Sequence, residues 1–270
     1  MDVPRSNGAT DVLDDGFVIE TVGSSASLED VFRLRFQVYC LERRFESGRD
    51  GLETDRFDAI SRHVLLRHHP SGRAIGTVRL VVPRLNGSRS VLPMEEVAGL
   101  PLPQNLPGAC IAEVSRFALS KILRPADATG CLARLALIRG IVRLSAQMKV
   151  THWCALMEPK LLRLLSTSGI YFRPMGGLIE HHGLRQPSFI GLSEMLETVR
   201  REKPTVWDFI TGAGSPWRSR DSCEHHTPAQ DRDLLALGFL VGFGTPDQDA
   251  EPVRDFGEVV DSECDQLRSA

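Results

Sequence analysis

No stretch of the chain approaches the ~18 consecutive apolar residues that a membrane-spanning helix needs, so a membrane bundle is excluded. The basic and then apolar start of a signal peptide is missing as well. The opening residues MDVPRSNGATDVLDDG are acidic and polar, which points to the cytosol. The six cysteines (Cys40, Cys110, Cys131, Cys154, Cys223 and Cys264) include no C-x-x-C pair and lie far apart, as reduced thiols do, and most fit small core positions. There is no Gly-x-Ser-x-Gly elbow for a serine nucleophile and no internal repeat. Three histidine pairs (His68-His69, His181-His182, His225-His226) give no metal-ligand set, because adjacent side chains point in different directions. A net charge of −3 offers no concentrated basic face, and nucleic acid is not an expected partner.

What remains is a globular composition, 42% hydrophobic and 25% charged, in 270 residues, a length that suits one large domain or two small ones. The charge is uneven. Residues 245–270 hold eight acidic side chains against Arg254 and Arg268, a tail of −6 on a body of +3, and such a segment reads as solvated and mobile. Residues 1–16 also read as disordered. Phe17 to Val22 alternates like a strand, and a helix capped by Ser27 follows to about Tyr39. Residues 40–62 read as a long, functional loop. Residues 63–68 and 74–82 form a hairpin around Pro70-Ser71-Gly72. Strands are expected at 109–119, 151–156, 170–172 and 188–192, and helices at 132–148, from Pro159 toward Gly169, from Ser193 to about Arg201, and from Pro204. The order predicts an α/β class with a mixed sheet flanked by helices: one domain over 17–200, an extension over 201–244 with a possible helix near 231–237, and the acidic tail.

Three patterns carry chemistry. Arg35-x-x-x-Tyr39 and Phe45 lead into Glu53-x-Asp55-x-x-Asp58. Three carboxylates this close raise one another's pKa and need cations nearby. They make either a solvated loop paired with Arg56 and Arg62, or a pocket that holds and deprotonates an amine; the ligand count and glycine of a calcium loop are missing. Arg79 stands in an otherwise apolar strand and must be paired if buried. In Glu113-Val114-Ser115-Arg116-Phe117, Glu113 and Arg116 fall on opposite faces of a regular strand, and only a bulge brings them to one face. The N–H that a bulge frees can stabilise an oxyanion by about 3 kcal/mol. The alternative is an internal salt bridge from Arg79 or Arg116 to Glu113.

In order and nearly in spacing, Arg35, Tyr39, Phe45, Glu53, Asp55, Asp58, Arg79, Glu113 and Arg116 resemble the pattern of acyl-homoserine-lactone synthases, acyltransferases with a GNAT-like fold. The segments 79–83 (RLVVP), 112–118 (AEVSRFA) and 180–187 (EHHGLRQP) look more like PEP-CTERM/exosortase system-associated acyltransferases and N-acyl amino acid synthases. The similarity covers about residues 17–195. Phe45 stands where the lactone synthases carry tryptophan, and Tyr39 where they carry phenylalanine, so the acceptor need not be theirs.

The resemblance implies an N-acyltransferase. Glu53, Asp55 and Asp58 would form the wall that receives the amine, with Glu53 as a base and Arg35 paired to the wall. Arg79 and Glu113 would pair in the cleft, and Arg116 would bind an acceptor carboxylate or tie down the loop. Phe45, Phe117 and apolar residues near Trp153 and Met157 would line an acyl channel. No bound cofactor is implied. Residues 124–131 match a coenzyme A cradle imperfectly, which favours a donor on acyl carrier protein over acyl-CoA. That acidic partner would dock on Arg134, Arg139, Arg143, Lys149, Lys160 and Arg163, unless these are only a wet helix face. Two other readings stay open: an acyl-CoA-dependent enzyme acting on another amine, and a non-catalytic module in exosortase-linked surface assembly.

Overall fold

A computed structural model describes residues 10–13, 16–85, 88–89, 91–102, 111–124 and 130–212. The expected helix near 231–237 and the acidic tail lie outside these residues, as does most of the candidate coenzyme A segment. Chain order runs β1 (Thr10–Leu13), β2 (Phe17–Thr21), α1 (Ser25–Arg35), β3 (Ser61–His68), β4 (Ala74–Val81), the short pair β5 (Arg84–Leu85) and β6 (Ser88–Arg89), and α2 (Pro93–Ala98). Then come β7 (Ile111–Leu119), α3 (Gly130–Gln147), β8 (His152–Met157), α4 (Pro159–Ser166), β9 (Arg173–Pro174), β10 (Ile179–Glu180), β11 (Leu184–Gly191), α5 (Leu192–Glu202) and α6 (Pro204–Thr211).

One mixed sheet organises the domain in the order β1-β2-β3-β4-β7-β8-β11-β10, with β9 also paired to β11. All neighbours are antiparallel except β7 and β8, whose chain returns through α3. The period-two alternation of the strands divides their apolar side chains between two faces. Val64, Leu66, Val78, Leu80, Val114, Trp153 and Ile190 pack in one core with residues of α3, α4, α5 and α6. On the opposite face, Leu65 meets Val31 and Leu34 of α1, while Val81, Ile111, Cys154 and Phe189 meet Met94 of α2. Trp153 belongs to the first core and donates from Nε1 to Ser145 Oγ at 2.9 Å.

Several expectations shift. Residues 10–13, expected to be disordered, pair with β2; Leu13 is buried in the core with α3, and Asp11 receives Arg139 Nε at 2.7 Å. The cap of α1 is Ser24, not Ser27: Ser24 is extended and its Oγ accepts from Ser27 N–H. After Arg35 the helix widens into a π-helix over Phe36–Glu42, with Arg43 N–H reaching back to Val38 O. The expected loop also holds a 3-10 helix, Arg56–Ile60, with Asp55 and Asp58 forming a reciprocal cap. The strand expected at 170–172 lies at Arg173–Pro174, where it can pair with Phe189 and Ser188. Packing on the sheet continues past residue 200. Leu192, Met195, Leu196 and Val199 form the buried stripe of α5, and Ile210 of α6 is fully buried in the same core.

Helix α3 crosses β2 and β3 at Gly140, where a Cβ would lie 2.5 Å from Val64 Cγ1 and 2.9 Å from Ile19 Cγ2. Gly140→Ala should therefore cost about 1–3 kcal/mol of stability through overpacking. Thermal unfolding checks it, and an unchanged melting temperature would contradict the close approach.

Candidate active site

The three carboxylates of the 53–58 segment meet three arginines that arrive from separate elements. Arg35, at the end of α1, is fully buried; its Nε contacts Glu53 Oε2, and its Nη1 donates to Asp58 Oδ1 at 2.6 Å. Arg79 of β4 donates from Nη1 to Asp55 Oδ1 at 2.6 Å and Asp58 Oδ1 at 2.9 Å, and from Nε to Ser115 Oγ at 3.1 Å. Arg116 of β7 holds Glu53 Oε1 from Nη2 at 2.9 Å and from Nε at 3.2 Å, and lies 3.1 Å from Asp55 Oδ2. The segment is anchored to α1 by Glu53 N–H donating to Phe32 O at 3.1 Å.

The expected acidic wall is thus neutralised. Glu53 is 3% exposed, with Oε2 on Arg35 and Oε1 on Arg116. Arg116 ties the loop down, one of the two roles expected of it. The physical reason is the cost of burying unpaired charge: three carboxylates placed under a sheet face need cationic partners, while Arg56, offered as a partner by the sequence, meets Glu96 instead. Burial pushes the Asp58 carboxyl upward, but the hydrogen bond from Arg35 and the charges of Arg35 and Arg79 outweigh it and hold the group at about 2. His63, across the ladder from Arg79, is neutral because burial lowers it to about 3; neither of its ring nitrogens has a hydrogen-bond partner.

The bulge is present. Thr77 pairs with Ala118 and Arg79 with Ser115, so β7 carries one extra residue opposite Val78, and Arg116 adopts φ +50°. The extra residue inverts the side-chain parity. Before it, Ile111 packs in the α2 cluster; after it, Ala118 packs with α1, while Phe117 turns into the α3 core. Glu113 and Arg116 therefore share the α1/α2 face, and Phe117 leaves the cleft assigned to it. Glu113 does not pair with Arg79 as expected: Arg79 is taken by Asp55, Asp58 and Ser115, and Glu113 Oε2 accepts from Met94 N–H at 2.7 Å. Burial raises Glu113 to about 8 despite that bond and the charges of Arg79 and Arg116.

Beside Glu113 the sheet opens. Pairing between β7 and β8 covers only Ile111, Ala112 and Glu113 against His152, Trp153 and Cys154, although the strands continue to Leu119 and Met157. Beyond Glu113 the two arms are no longer paired, which marks a wedge between them. Tyr39 of the π-helix lies under Arg116, with 5.5 Å from the guanidinium to the ring centroid, and its carbonyl accepts from Phe45 N–H at 2.8 Å. Phe45 in turn stacks on His182 at 5.9 Å. Sequence reasoning quoted the 180–187 segment without a role for its side chains, and gave none to Glu46 or Ser115; only the turn at His182 and Gly183, both at positive φ, folds that segment onto Phe45.

The carrier-docking residues do not form one free face. Arg139 and Arg143 both bind Asp11, and Arg139 also donates to Phe209 O at 3.0 Å, so this pair joins β1, α3 and α6. Arg134 is half-buried, while Lys149, Lys160 and Arg163 are exposed. Among the described residues no group of three His, Cys, Asp or Glu side chains is placed to hold a metal ion.

A family model described as an acetyltransferase (GNAT) domain matches residues 34–134, a span that contains all nine residues from Arg35 to Arg116. With the sheet and its parted strands, this defines a GNAT-like fold and makes the chain an acyltransferase. Solved structures agree on the fold. The acyl-homoserine lactone (AHL) synthase LasI is 17% identical, with a TM-score of 0.53 over 64% of this chain and 88% of that one. The CoA-dependent acyl-homoserine lactone synthase MesI is 25% identical, with 0.50 over 65% and 87%. FeeM, an N-acyl amino acid synthase from uncultured soil microbes, is 16% identical, with 0.50 over 67% and 93%. No curated protein sequence matches the chain significantly.

Arg79→Ala would leave Asp55 and Asp58 short of a cation and should cost about 3–5 kcal/mol. Loss of folded protein, or at least several-fold lower activity, is expected; an unchanged melting curve with full turnover would contradict the network. Glu113 gives a signed pH dependence. Its pKa is raised, so its contribution to stability is fully present below 4.5 and is lost as pH rises through about 8. Glu113→Gln keeps an acceptor for Met94 N–H and should flatten the decline between those pH values in urea midpoints, whereas an identical slope would show that Glu113 ionises freely.

Proposed function

We propose that the protein is an N-acyltransferase that moves a fatty acyl chain from a carrier thioester, with acyl carrier protein the favoured donor, to the amine of an amino acid or related small molecule. The observation that carries this reading is the bulge at Arg116, which puts Glu113 and Arg116 on one face at the point where β7 and β8 part. A thioester seated in the wedge would present its carbonyl to the irregular β7 backbone, where an N–H released from the ladder would meet the developing oxyanion. The amine attacks the carbonyl carbon, the C–N bond forms, the C–S bond breaks, and the carrier leaves as the thiol.

Glu113 is the base in this scheme, in place of Glu53. With its pKa near 8 it is ionised in roughly a tenth of molecules at pH 7 and can take the proton that the amine loses. The apolar group of Val81, Leu92, Met94, Ile111 and Phe189 on the same face would lodge the acyl chain. Tyr39 and Phe45 would border the acceptor, and Arg35, Asp55, Asp58 and Arg79 hold the loop that carries them. Lys160 and Arg163, exposed on α4, remain for a carrier protein to meet. The similarity to MesI, whose name gives a CoA-dependent enzyme, favours acyl-CoA as the second reading of the donor; strong binding of coenzyme A in calorimetry would support it against the carrier protein. A non-catalytic module would have no use for a bulge that turns Glu113 and Arg116 to one face, and the geometry weighs against it. The 79–83, 112–118 and 180–187 segments support a place among exosortase system-associated acyltransferases. The cytosol supplies the acyl thioesters, and no described helix is long and apolar enough to cross a membrane.

Heterologous expression followed by lipid extraction tests the reaction. Cells making the wild type should accumulate an acylated amine that cells making Glu113→Ala do not, and equal extracts would remove the synthase reading. Turnover of the wild type should rise with pH toward an apparent pKa near 8.

A further inference from the structure

A second group of cations stands at the open end of the wedge, outside the network of Arg35, Arg79 and Arg116. Arg43 follows the π-helix, and Arg185 lies on β11 beside Gln186, which pairs with Met157 at the end of β8. Their guanidiniums converge on one oxygen of Glu158: Arg43 Nη1 at 2.8 Å and Arg185 Nη2 at 3.3 Å from Oε1. Both lie over the ring of Phe45, each 5.7 Å from its centroid. From there a chain of contacts crosses the wedge: His182 stacks on Phe45, His182 Nε2 lies 3.6 Å from Glu46 Oε1, and that oxygen lies 3.4 Å from Arg116 Nη2 on the bulge.

The two groups differ in charge balance. Arg35, Arg79 and Arg116 face Glu53, Asp55 and Asp58, with Glu46 as a fourth carboxylate. Among the described residues Arg43 and Arg185 face Glu158 as their one carboxylate, which leaves one positive charge beside an aromatic surface. Arg185 has a side-chain exposure of 12%, and its Nη2 and Nη1 also donate to His182 O at 2.8 Å and Leu184 O at 3.3 Å, so its plane is fixed. Arg43, at 43%, has room to swing. A fixed, partly desolvated guanidinium next to a movable one matches the planar, two-oxygen geometry of a carboxylate.

We propose that Arg185, assisted by Arg43, binds the carboxylate of the acceptor, so that the acceptor is an amine carrying a free carboxylate, an amino acid, and not a simple amine. The inference rests on the acyltransferase reading above and assigns to this pair the role expected of Arg116. Phe45 floors the site, and the amine end of such an acceptor points along the wedge toward Glu113.

The test supplies the purified full chain with medium and long acyl thioesters of both acyl carrier protein and coenzyme A. The acceptors are a pool of the common amino acids or the same pool as C-terminal amides, and mass spectrometry reads the N-acylated products. The wild type should acylate the acids and use the amides at least about tenfold less well. Arg185→Gln should raise the KM for the acid acceptor about 10- to 100-fold with the donor KM unchanged, and Arg185→Lys should recover part of the loss. Amides used as readily as acids, or an acceptor KM unmoved in both Arg185→Gln and the double variant with Arg43→Gln, would overturn the proposal while acyl transfer itself stands. Acylation of neither pool overturns it too, and only a lack of any acylated amine in whole cells extends that failure to the acyltransferase reading. Should Arg185→Gln fail to fold, the comparison of acids with amides on the wild type decides alone.

Discussion

Arg35, Arg79 and Arg116 come from a helix and two strands, and all three are neutralised by carboxylates within six residues of one segment. Each charge sits where water is largely excluded, so none is tolerable without the others, and removing one partner exposes the rest to the full cost of burial. The segment is thereby pinned to α1, β4 and β7 at once. It closes the α1 face of the sheet and brings Tyr39, Phe45 and Glu46 over the bulge. The geometric effect of the network is to position that segment.

The carboxyl outside the network has a different environment. Glu113 lies on the same face but next to α2, where burial dominates and a single N–H from Met94 is its partner. Two acids on one face thus take opposite characters, Asp58 held at about 2 by arginines and Glu113 raised to about 8 by apolar surroundings. The sheet supplies the rest. One inserted residue in β7 inverts side-chain parity, and the short parallel pairing of β7 with β8 opens the wedge at that position.

Much of this was legible in the sequence. Alternation and helical spacing gave the hairpin of β3 and β4, the long α3, the strand at 152–157 and the two helices around Pro204, because each buries one face and its apolar period records that. Residues 10–13 and α2 were not legible, since so short an element has too few residues to show a period and owes its order to a neighbour. That Glu53, Asp55 and Asp58 needed cations and that a buried Arg79 needed a partner was readable, because buried charge leaves few ways to be satisfied; Arg56 and Arg62 were the partners the residues suggested, and Arg35 followed only from the resemblance.

The sequence by itself determined that a bulge was required to join Glu113 and Arg116, that Arg79 needed a partner, and that one α/β domain would hold them. These follow from local periodicity and from the cost of unpaired charge, which any fold must respect. Only the tertiary structure decided which carboxylate took which arginine, left Glu113 apart from Arg79, drew Arg139 and Arg143 to Asp11, and set Arg185 beside Arg43. Those pairings join residues far apart in the chain, and several acids and arginines of equal chemistry compete for each. Nothing in the sequence ranks the competitors; the packing of α1, α2 and the 180–187 turn on the sheet does, by fixing which charges come within reach.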